Sequence, residues 1–344
     1  MRRAIGVDLG GSHAMATVVE ESGTITVRHE QDIVDRSPNA VFATLEAVIR
    51  PALADAKDKV VGIGIGSPGN VDPKTGTIRW SPNFNWTNVP LGDAMRAKFD
   101  LPVFIANDAR CATLGEYVFG AGRGTRNFAL LTLGTGIGGG IVAEGELALG
   151  NQMGAGEFGH HTIRSESGFI CGCGRVGCFE AQCSGTGLIR HAVAVAPSFP
   201  RSKLLDVPKE KLGSKAIRKA AQAGDGHALA AWKNWIDDLA TGLVNVIAFV
   251  NPEVIAMGGG VSSAGDFMLE PVRKLVDERT TTVPKGTTKI IRALLGNDAG
   301  AVGAATMALR GGLVATLGAA AAAPARADSA GAPNHSIPAA AEAG

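Results

Sequence analysis

The sequence predicts an α/β fold with two domains, and three features of the chain indicate it. Short apolar runs alternate with segments whose apolar residues recur at helical spacing, which is typical of a partly parallel sheet covered by helices. A strand, a glycine turn and a second strand open the chain, and the same pattern returns at residues 126–146. Because 344 residues exceed the usual size of one hydrophobic core, we expect two halves around a cleft, each contributing one glycine turn.

The first half is predicted to open as a β-meander and to continue as alternating helices and strands. Its strands are β-branched and apolar, with glycines between the early ones, and they are predicted at residues 2–9, 14–20, 24–30, 59–66 and 102–106. Helices with apolar residues at helical spacing are predicted at 38–56, 92–99 and 108–120.

The second half is predicted to be mainly helical after its opening strands. Residues 185–250 are mostly helical in pattern, and Trp232 and Trp235 lie on one apolar face of 228–250, which favours core packing. A late strand ends in the three glycines 258–260, and a closing helix is predicted at 296–310. We expect domains at 1–120 and 121–297, a closing helix at 298–317 that packs back on the first domain, and a disordered Ala/Pro-rich tail at 318–344.

The charge balance argues against nucleic acid and anionic membranes as partners. Thirty-three Lys and Arg face 32 Asp and Glu, which leaves a formal charge of +1. No run of eighteen apolar residues occurs, and no signal-peptide core follows the first arginines. We therefore expect a soluble, cytoplasmic protein with a small-molecule partner. In a reducing compartment, closely spaced cysteines favour metal binding or catalysis over disulfides.

Two glycine turns are candidate phosphate-binding elements. Residues 8–13 ("DLGGSH") and 133–140 ("LGTGIGGG") offer backbone N–H groups without Cβ atoms in the way, and "MGGG" at 257–260 closes a late strand. For either turn alone, a purely structural hairpin is the simpler interpretation. Walker A is absent, and "GTGIGG" precedes a predicted strand rather than the helix of a dinucleotide-binding fold. Taken together, the turns favour phosphate or nucleotide binding.

Asn107 and Asp108 follow the strand at 102–106, at the end where open α/β sheets bind ligands. Asp108 is a candidate general base for a substrate hydroxyl, as in phosphoryl transfer. The alternative is that it caps the following helix, since Asp and Asn are favoured at that position.

Three cysteines and one histidine form a candidate metal site. Cys171, Cys173 and Cys178 follow the pattern C-x-C-x4-C, and His160 offers a fourth ligand. Three thiolates and an imidazole suit tetrahedral Zn²⁺ with no place for water, which indicates a structural rather than a catalytic site. Buried unligated thiols are the alternative. We expect Cys183 to be a small core residue.

The motifs resemble those of the ROK family of bacterial sugar kinases (repressor, open reading frame, kinase), and within it the ATP-dependent glucokinases. The resemblance covers residues 3 to about 310, and the pairing of E-x-G-H with C-x-C-G-x-x-G-C-x-E is its most specific part. The matching segments are "GVDLGGS", "GSPGNVD", "SPNFNW", "ND", "LTLGTGIGGG", "GEFGH", "CGCGRVGCFE", "MGGGVS" and "AGAVGAA".

The resemblance implies an actin- and hexokinase-like (ribonuclease H-like) fold whose cleft closes on a hexose. It implies ATP as phosphoryl donor, Mg²⁺ positioned by Asp8 and Asp108 as the base for the 6-hydroxyl. The residues expected to cradle the ATP phosphates are Gly10, Gly11 and Ser12 in the first turn and Gly134, Thr135, Gly136, Gly138 and Gly139 in the second. Gly258, Gly259 and Gly260 are expected against the adenosine. The expected hexose contacts are Gly69, Asn83, Asn107, Asp108, Glu157, His160 and Glu180.

Two positions depart from the family pattern, and several activities stay open. His13 stands where many relatives carry lysine, and Arg110 stands where many carry asparagine. Glucose is the expected substrate and a homodimer or homotetramer the expected assembly. Fructokinase, N-acetylglucosamine or N-acetylmannosamine kinase and polyphosphate glucokinase are the alternatives. A transcriptional regulator is a remote one, because the first predicted strand leaves no room for a preceding DNA-binding domain.

Overall fold

A computed structural model describes residues 1–56, 59–208 and 211–313. The strands, in chain order, are β1 Arg3–Leu9, β2 His13–Glu20, β3 Ile25–Asp32, β4 Val60–Ser67, β5 Asn70–Val71, β6 Ile78–Ser81, β7 Trp86–Val89, β8 Val103–Asn107, β9 Phe128–Leu133, β10 Ile137–Ala143, β11 Glu146–Leu147, β12 Val254–Gly258 and β13 Lys289–Arg292. The α-helices are α1 Pro38–Asp55, α2 Leu91–Arg96, α3 Asp108–Phe119, α4 Phe179–Cys183, α5 Gly185–Val195, α6 Ser214–Gln222, α7 Gly226–Val250, α8 Asp266–Arg279 and α9 Ala299–Leu309.

Two mixed five-stranded sheets organise the part of the chain that the structure describes. The first has the order β3-β2-β1-β4-β8, and the second has the order β11-β10-β9-β12-β13. In each sheet an antiparallel hairpin with a glycine turn leads into parallel strands. The predicted α/β class is confirmed, and so is the restart of the strand–turn–strand pattern at β9 and β10.

The elements follow the predicted order, with a small third sheet that the sequence reading did not anticipate. The strands of that sheet, β5-β6-β7, come between β4 and α2 along the chain. Trp232 and Trp235 on α7 are buried in the core of the second half, as expected. The domain boundaries at 120 and 297 stay predictions, and the predicted tail at 318–344 lies outside the described residues.

Helix α9 packs on the first sheet with backbone nearly touching backbone. A Cβ atom at Gly6 would lie 2.0 Å from the carbonyl oxygen of Ala301, and one at Gly64 would lie 1.8 Å from that of Ala304. On the helix itself, a Cβ at Gly303 would lie 1.6 Å from the carbonyl oxygen of Cys111 in α3. Glycine is therefore required on both sides of this interface, which holds α9 between β1, β4 and α3.

We expect Gly64→Ala to lower the free energy of unfolding by about 1–3 kcal/mol or more. The added methyl group would collide with the backbone of α9, and only a shift of the backbone can relieve that collision. Chemical denaturation measures the change. Gly213→Ala is the control, since a Cβ there meets no atom within 4 Å. Equal stability of the two variants would contradict the tight packing of α9.

Candidate active site

The carboxyl ends of parallel strands bring the predicted acidic residues to one edge of the first sheet. Asp8 near the end of β1 is in register with Gly66 of β4, and Asn107 at the end of β8 is in register with Ser67. Asp8 also faces the first turn of α9, because a Cβ at Gly300 would lie 3.2 Å from its carboxyl carbon. Asp8, Asn107 and Asp108 therefore share one edge of the sheet, and for Asn107 and Asp108 this agrees with the position expected from the sequence.

Asn107, rather than Asp108, caps helix α3. The Asn107 side chain accepts a hydrogen bond from the backbone N–H of Arg110 at 3.2 Å, which is the N-cap interaction. Asp108 is the first helical residue, and its Oδ1 accepts the N–H of Ala109 at 2.8 Å. The N-cap expected at Asp108 is therefore supplied by Asn107. The second carboxylate oxygen of Asp108, Oδ2, is available for another role.

The carboxyl groups of Asp8 and Asp108 both have raised pKa values. Burial, together with the nearby charge of Asp108, raises the pKa of Asp8 to about 6. Burial also raises the pKa of Asp108, and the negative charge of Glu157 adds to that effect. Both shifts are typical of acid–base residues in a cleft, since burial and like charge disfavour ionisation.

The first glycine turn, Gly10–Ser12, lies beside a residue predicted to contact the sugar. The backbone N–H of Gly10 donates to the carbonyl of His13 at 2.9 Å and closes the turn between β1 and β2. A Cβ at Gly11 would lie 3.6 Å from Nδ2 of Asn83, so the turn and Asn83 face each other.

The second turn, Gly134–Gly139, meets both the start of α5 and the start of α3. The N–H of Gly185, the first residue of α5, donates to the carbonyl of Gly134 at 2.8 Å. The hydroxyl of Thr186 donates to the backbone carbonyl of Thr135. A Cβ at Gly138 would lie 3.1 Å from Cβ of Ala109. The turn is thus adjacent to the helix that begins with Asp108. A phosphate held by this turn would lie close to that residue.

Glu180 contacts this second turn directly, which the sequence did not indicate. Its Oε2 accepts the backbone N–H of Ile137 at 2.9 Å, and a Cβ at Gly136 would lie 2.4 Å from the same oxygen. The two residues are 43 positions apart, and no local pattern links them.

The third glycine group lines a cavity of about 590 Å³. Gly258 ends β12, and Gly259 has a φ of +79° with a hypothetical Cβ only 2.4 Å from the carbonyl oxygen of Leu133. The wall also includes Lys215, Arg218, Trp232 and Arg292. The cavity thus places three cations and an indole beside the third glycine group, an arrangement that suits an anionic ligand.

The predicted sugar residues fall into two groups. In the first half of the chain, Nδ2 of Asn107 donates to the carbonyl of Gly69 at 3.1 Å. Gly69 has a φ of +109°, and a Cβ there would lie 2.3 Å from the carbonyl oxygen of Trp80, so no other residue fits. In the second half, Glu157 immediately precedes the short 3₁₀ helix Phe158–His160, and His160 is the last residue of that helix.

His160, Cys171, Cys173 and Cys178 bring one ligand atom each to within 4.8 Å of one another. Sγ of Cys171 lies 3.8 Å from Nδ1 of His160, and Sγ of Cys173 lies 3.6 Å from Sγ of Cys178, so the thiols are close but unbonded. Backbone hydrogen bonding at Arg175 lowers the pKa of Cys173 to about 6. A soft, tetrahedral donor set of this kind fits Zn²⁺.

The neighbouring residues keep to structural roles. Cys183 is completely buried in the core, as expected. The ring of His161 packs on Phe179, and its Nδ1 contacts the carbonyl oxygen of Phe158 at 2.6 Å. Burial lowers the pKa of His161.

A comparison with known proteins identifies the family of this chain. The family profile described as "ROK family" matches residues 4–310. The chain belongs to the ROK family.

Among ROK proteins, the glucokinase of Thermotoga maritima is 37% identical over 310 residues, which cover 89% of this chain and 96% of that protein. The solved ROK glucokinase of Streptomyces griseus, in complex with glucose and AMPPNP, is 35% identical with a TM-score of 0.76, covering 88% of this chain and 98% of that one. These relatives confirm the actin- and hexokinase-like fold and identify the chain as a sugar kinase.

ROK regulators are similar to the chain as well. A structure described as a ROK family transcriptional regulator, homologous to the Escherichia coli MLC protein, is 27% identical with a TM-score of 0.81, covering 92% of this chain and 79% of that one. Fold similarity alone therefore does not separate a kinase from a regulator, and the sugar-kinase assignment depends on the glucokinase relatives, which match over nearly their whole length. None of the helices within the described residues is long and apolar enough to cross a membrane.

Proposed function

We propose that the protein transfers the terminal phosphoryl group of ATP to the 6-hydroxyl of glucose. The observation that carries the proposal is the convergence on helix α3: Asp108 begins the helix, Asn107 caps it, and the second glycine turn reaches Ala109. One helix terminus thus lies beside both the predicted sugar contacts and the predicted phosphate turn.

In this reaction Asp108 accepts the proton of the 6-hydroxyl as the sugar oxygen bonds to the terminal phosphorus and the bond to ADP breaks. The raised pKa of Asp108 supports the role, since a base with proton affinity nearer that of the operating pH transfers protons more effectively. Backbone N–H groups of the two glycine turns would hold the phosphates. Bound Mg²⁺ supplies neutralisation of phosphate charge, and Asp8 is the residue that would hold it.

The cysteine cluster would hold a structural Zn²⁺ that fixes the sugar side of the cleft. Nδ1 of His160 lies against Cys171, which leaves Nε2 of the same ring for a sugar hydroxyl. Cys178 immediately precedes α4, and Glu180 lies in the first turn of that helix. The metal would thereby orient Glu180 and His160 without taking part in the chemistry.

Glucose is favoured over other hexoses by the two glucokinases among the relatives named above. The test is a coupled ADP-release screen over glucose, fructose, mannose, N-acetylglucosamine and N-acetylmannosamine with ATP, repeated with polyphosphate while glucose 6-phosphate is measured. We expect kcat/KM to be highest for glucose with ATP. A higher value for another sugar or for polyphosphate would reassign the substrate, and binding of sugar without turnover of any of them would favour a regulator.

A further inference from the structure

We infer that Arg110 is a positioning residue that anchors segment 150–157 on helix α3 and thereby fixes the carboxylate of Glu157 for sugar binding. This inference rests on the proposed function, since it assigns Glu157 to the sugar. It concerns a residue that departs from the family pattern and that the reaction described above does not use.

The guanidinium of Arg110 is buried and concentrates its contacts on this one segment. Only 4% of the residue is exposed. Its Nη2 donates to the carbonyl of Ala155 at 2.9 Å, to the carbonyl of Met153 and to Oε1 of Glu157 at 3.3 Å. Three oxygens of one segment therefore meet a single charged nitrogen, and hydrogen bonds from a charged donor are the strong ones.

The segment needs such an anchor because its backbone is strained. Gln152 and Met153 have φ values of +57° and +61°, a left-handed conformation that costs non-glycine residues about 1–3 kcal/mol each. Gly150 and Gly156 flank them with φ values of +69° and +82°. Conformations of this kind persist only where the surroundings hold them in place.

Two further side-chain contacts to the segment come from the small third sheet and are exposed. Asn70 donates to the carbonyl of Gln152 at 3.1 Å, and Arg79 donates to the Gln152 side chain at 3.2 Å. Exposed hydrogen bonds compete with water and contribute less than buried ones to a charged donor. Among these side chains, Arg110 is therefore the one that holds the segment from a buried position.

The anchor acts on Glu157 mainly through the backbone. The Arg110–Glu157 pair is 3.3 Å apart, and the side chain of Glu157 is 50% exposed, so the ion pair alone contributes little. The two carbonyl contacts fix residues 153 and 155, and Glu157 lies two positions after Ala155. Because Arg110 lies two positions after Asp108 on α3, the anchor also relates Glu157 to the proposed base.

The decisive experiment combines Arg110→Met, which removes the donors, with Arg110→Lys, which keeps the charge. We expect Arg110→Met to raise the KM for glucose about tenfold or more while kcat and the KM for ATP stay within about threefold. Arg110→Lys should lie between Arg110→Met and the wild type. In hydrogen exchange of the full chain without substrates, residues 150–157 should exchange faster in both variants.

A double-mutant cycle with Glu157→Gln separates positioning from a general structural role. If Arg110 acts through Glu157, the two effects on the glucose KM are non-additive, and the double variant resembles the worse single variant. The control is Arg273→Met, which removes a contact to the carbonyl of Ile290 far from this segment, and it should leave both KM values unchanged.

Additive effects in the cycle, an equal rise of both KM values, or unchanged exchange of residues 150–157 would each overturn the inference. Failure of the proposed function is distinguishable: if the wild type prefers another hexose, that hexose replaces glucose in the kinetics. The exchange measurement does not depend on turnover at all, so it tests the anchor in either case.

Discussion

Replacing Asp108 by Asn is expected to lower kcat by about 10²–10⁴-fold, which is the usual contribution of a positioned general base. The amide cannot accept the proton of the 6-hydroxyl, while its size and its place at the start of α3 are preserved. Because Asn107 caps the helix, the fold should not change. Steady-state kinetics with glucose and ATP measure the effect, and we expect both KM values to change little.

The pH dependence of the same variant provides a second measurement. Asp108 must be ionised to act as a base, and its raised pKa places the acid limb of kcat/KM at higher pH than for an exposed aspartate. Asp108→Asn should remove that limb. The control is Asp100→Asn, an exposed aspartate, which should behave as the wild type. A kcat near that of the wild type for Asp108→Asn would exclude the base assignment.

Loss of the cysteine cluster is expected to weaken both the fold and the binding of sugar. Cys178→Ala removes one of four ligands, and we expect the free energy of unfolding to fall by about 3 kcal/mol or more, which corresponds to a drop in Tm of roughly 6–12 °C. Elemental analysis of the purified wild type should show one zinc per chain, and the variant should contain much less. The KM for glucose should rise, because His160 and Glu180 lose their support.

Cys183→Ala is the matched control for this experiment. Cys183 is buried and outside the cluster, so its loss leaves a small cavity and should leave the zinc content unchanged. Removing zinc with a chelator supplies the comparison without mutation. A protein that is metal-depleted, folded and unchanged in its KM for glucose would contradict the link between the metal and the sugar site.

Local pattern sufficed for the parts of the site that depend on strand ends and close spacing. Asn107 and Asp108 were expected at the carboxyl end of their strand, where open α/β sheets bind ligands, and Asn107 does end β8 while Asp108 begins α3. The cysteines lie within eight positions, so short loops bring them together. The strand predicted at 102–106 extends to Asn107, because that residue still pairs with Ser67 of β4.

Contacts between distant segments were not predictable in this way. The bond from Ile137 to Glu180 joins residues 43 apart, and that from Arg110 to Ala155 joins residues 45 apart. Neither pair has a periodicity that would reveal it, because only the packed tertiary structure brings the partners together. Arg110 stood out in the sequence as a departure from the family pattern, but its role became apparent only from its three acceptors.

The packing of α9 on the first sheet through glycines has a consequence for how the chain folds during synthesis. Synthesis on the ribosome proceeds from the amino terminus, and domains generally fold as they emerge. Yet β1 begins at Arg3, whereas the helix that covers it ends at Leu309, and Arg2 donates to the carbonyl of Leu309 across 307 positions. The strands of the first sheet are therefore complete once Asn107 has been synthesised, but the surface of that sheet that faces α9 stays uncovered until residue 309 has followed.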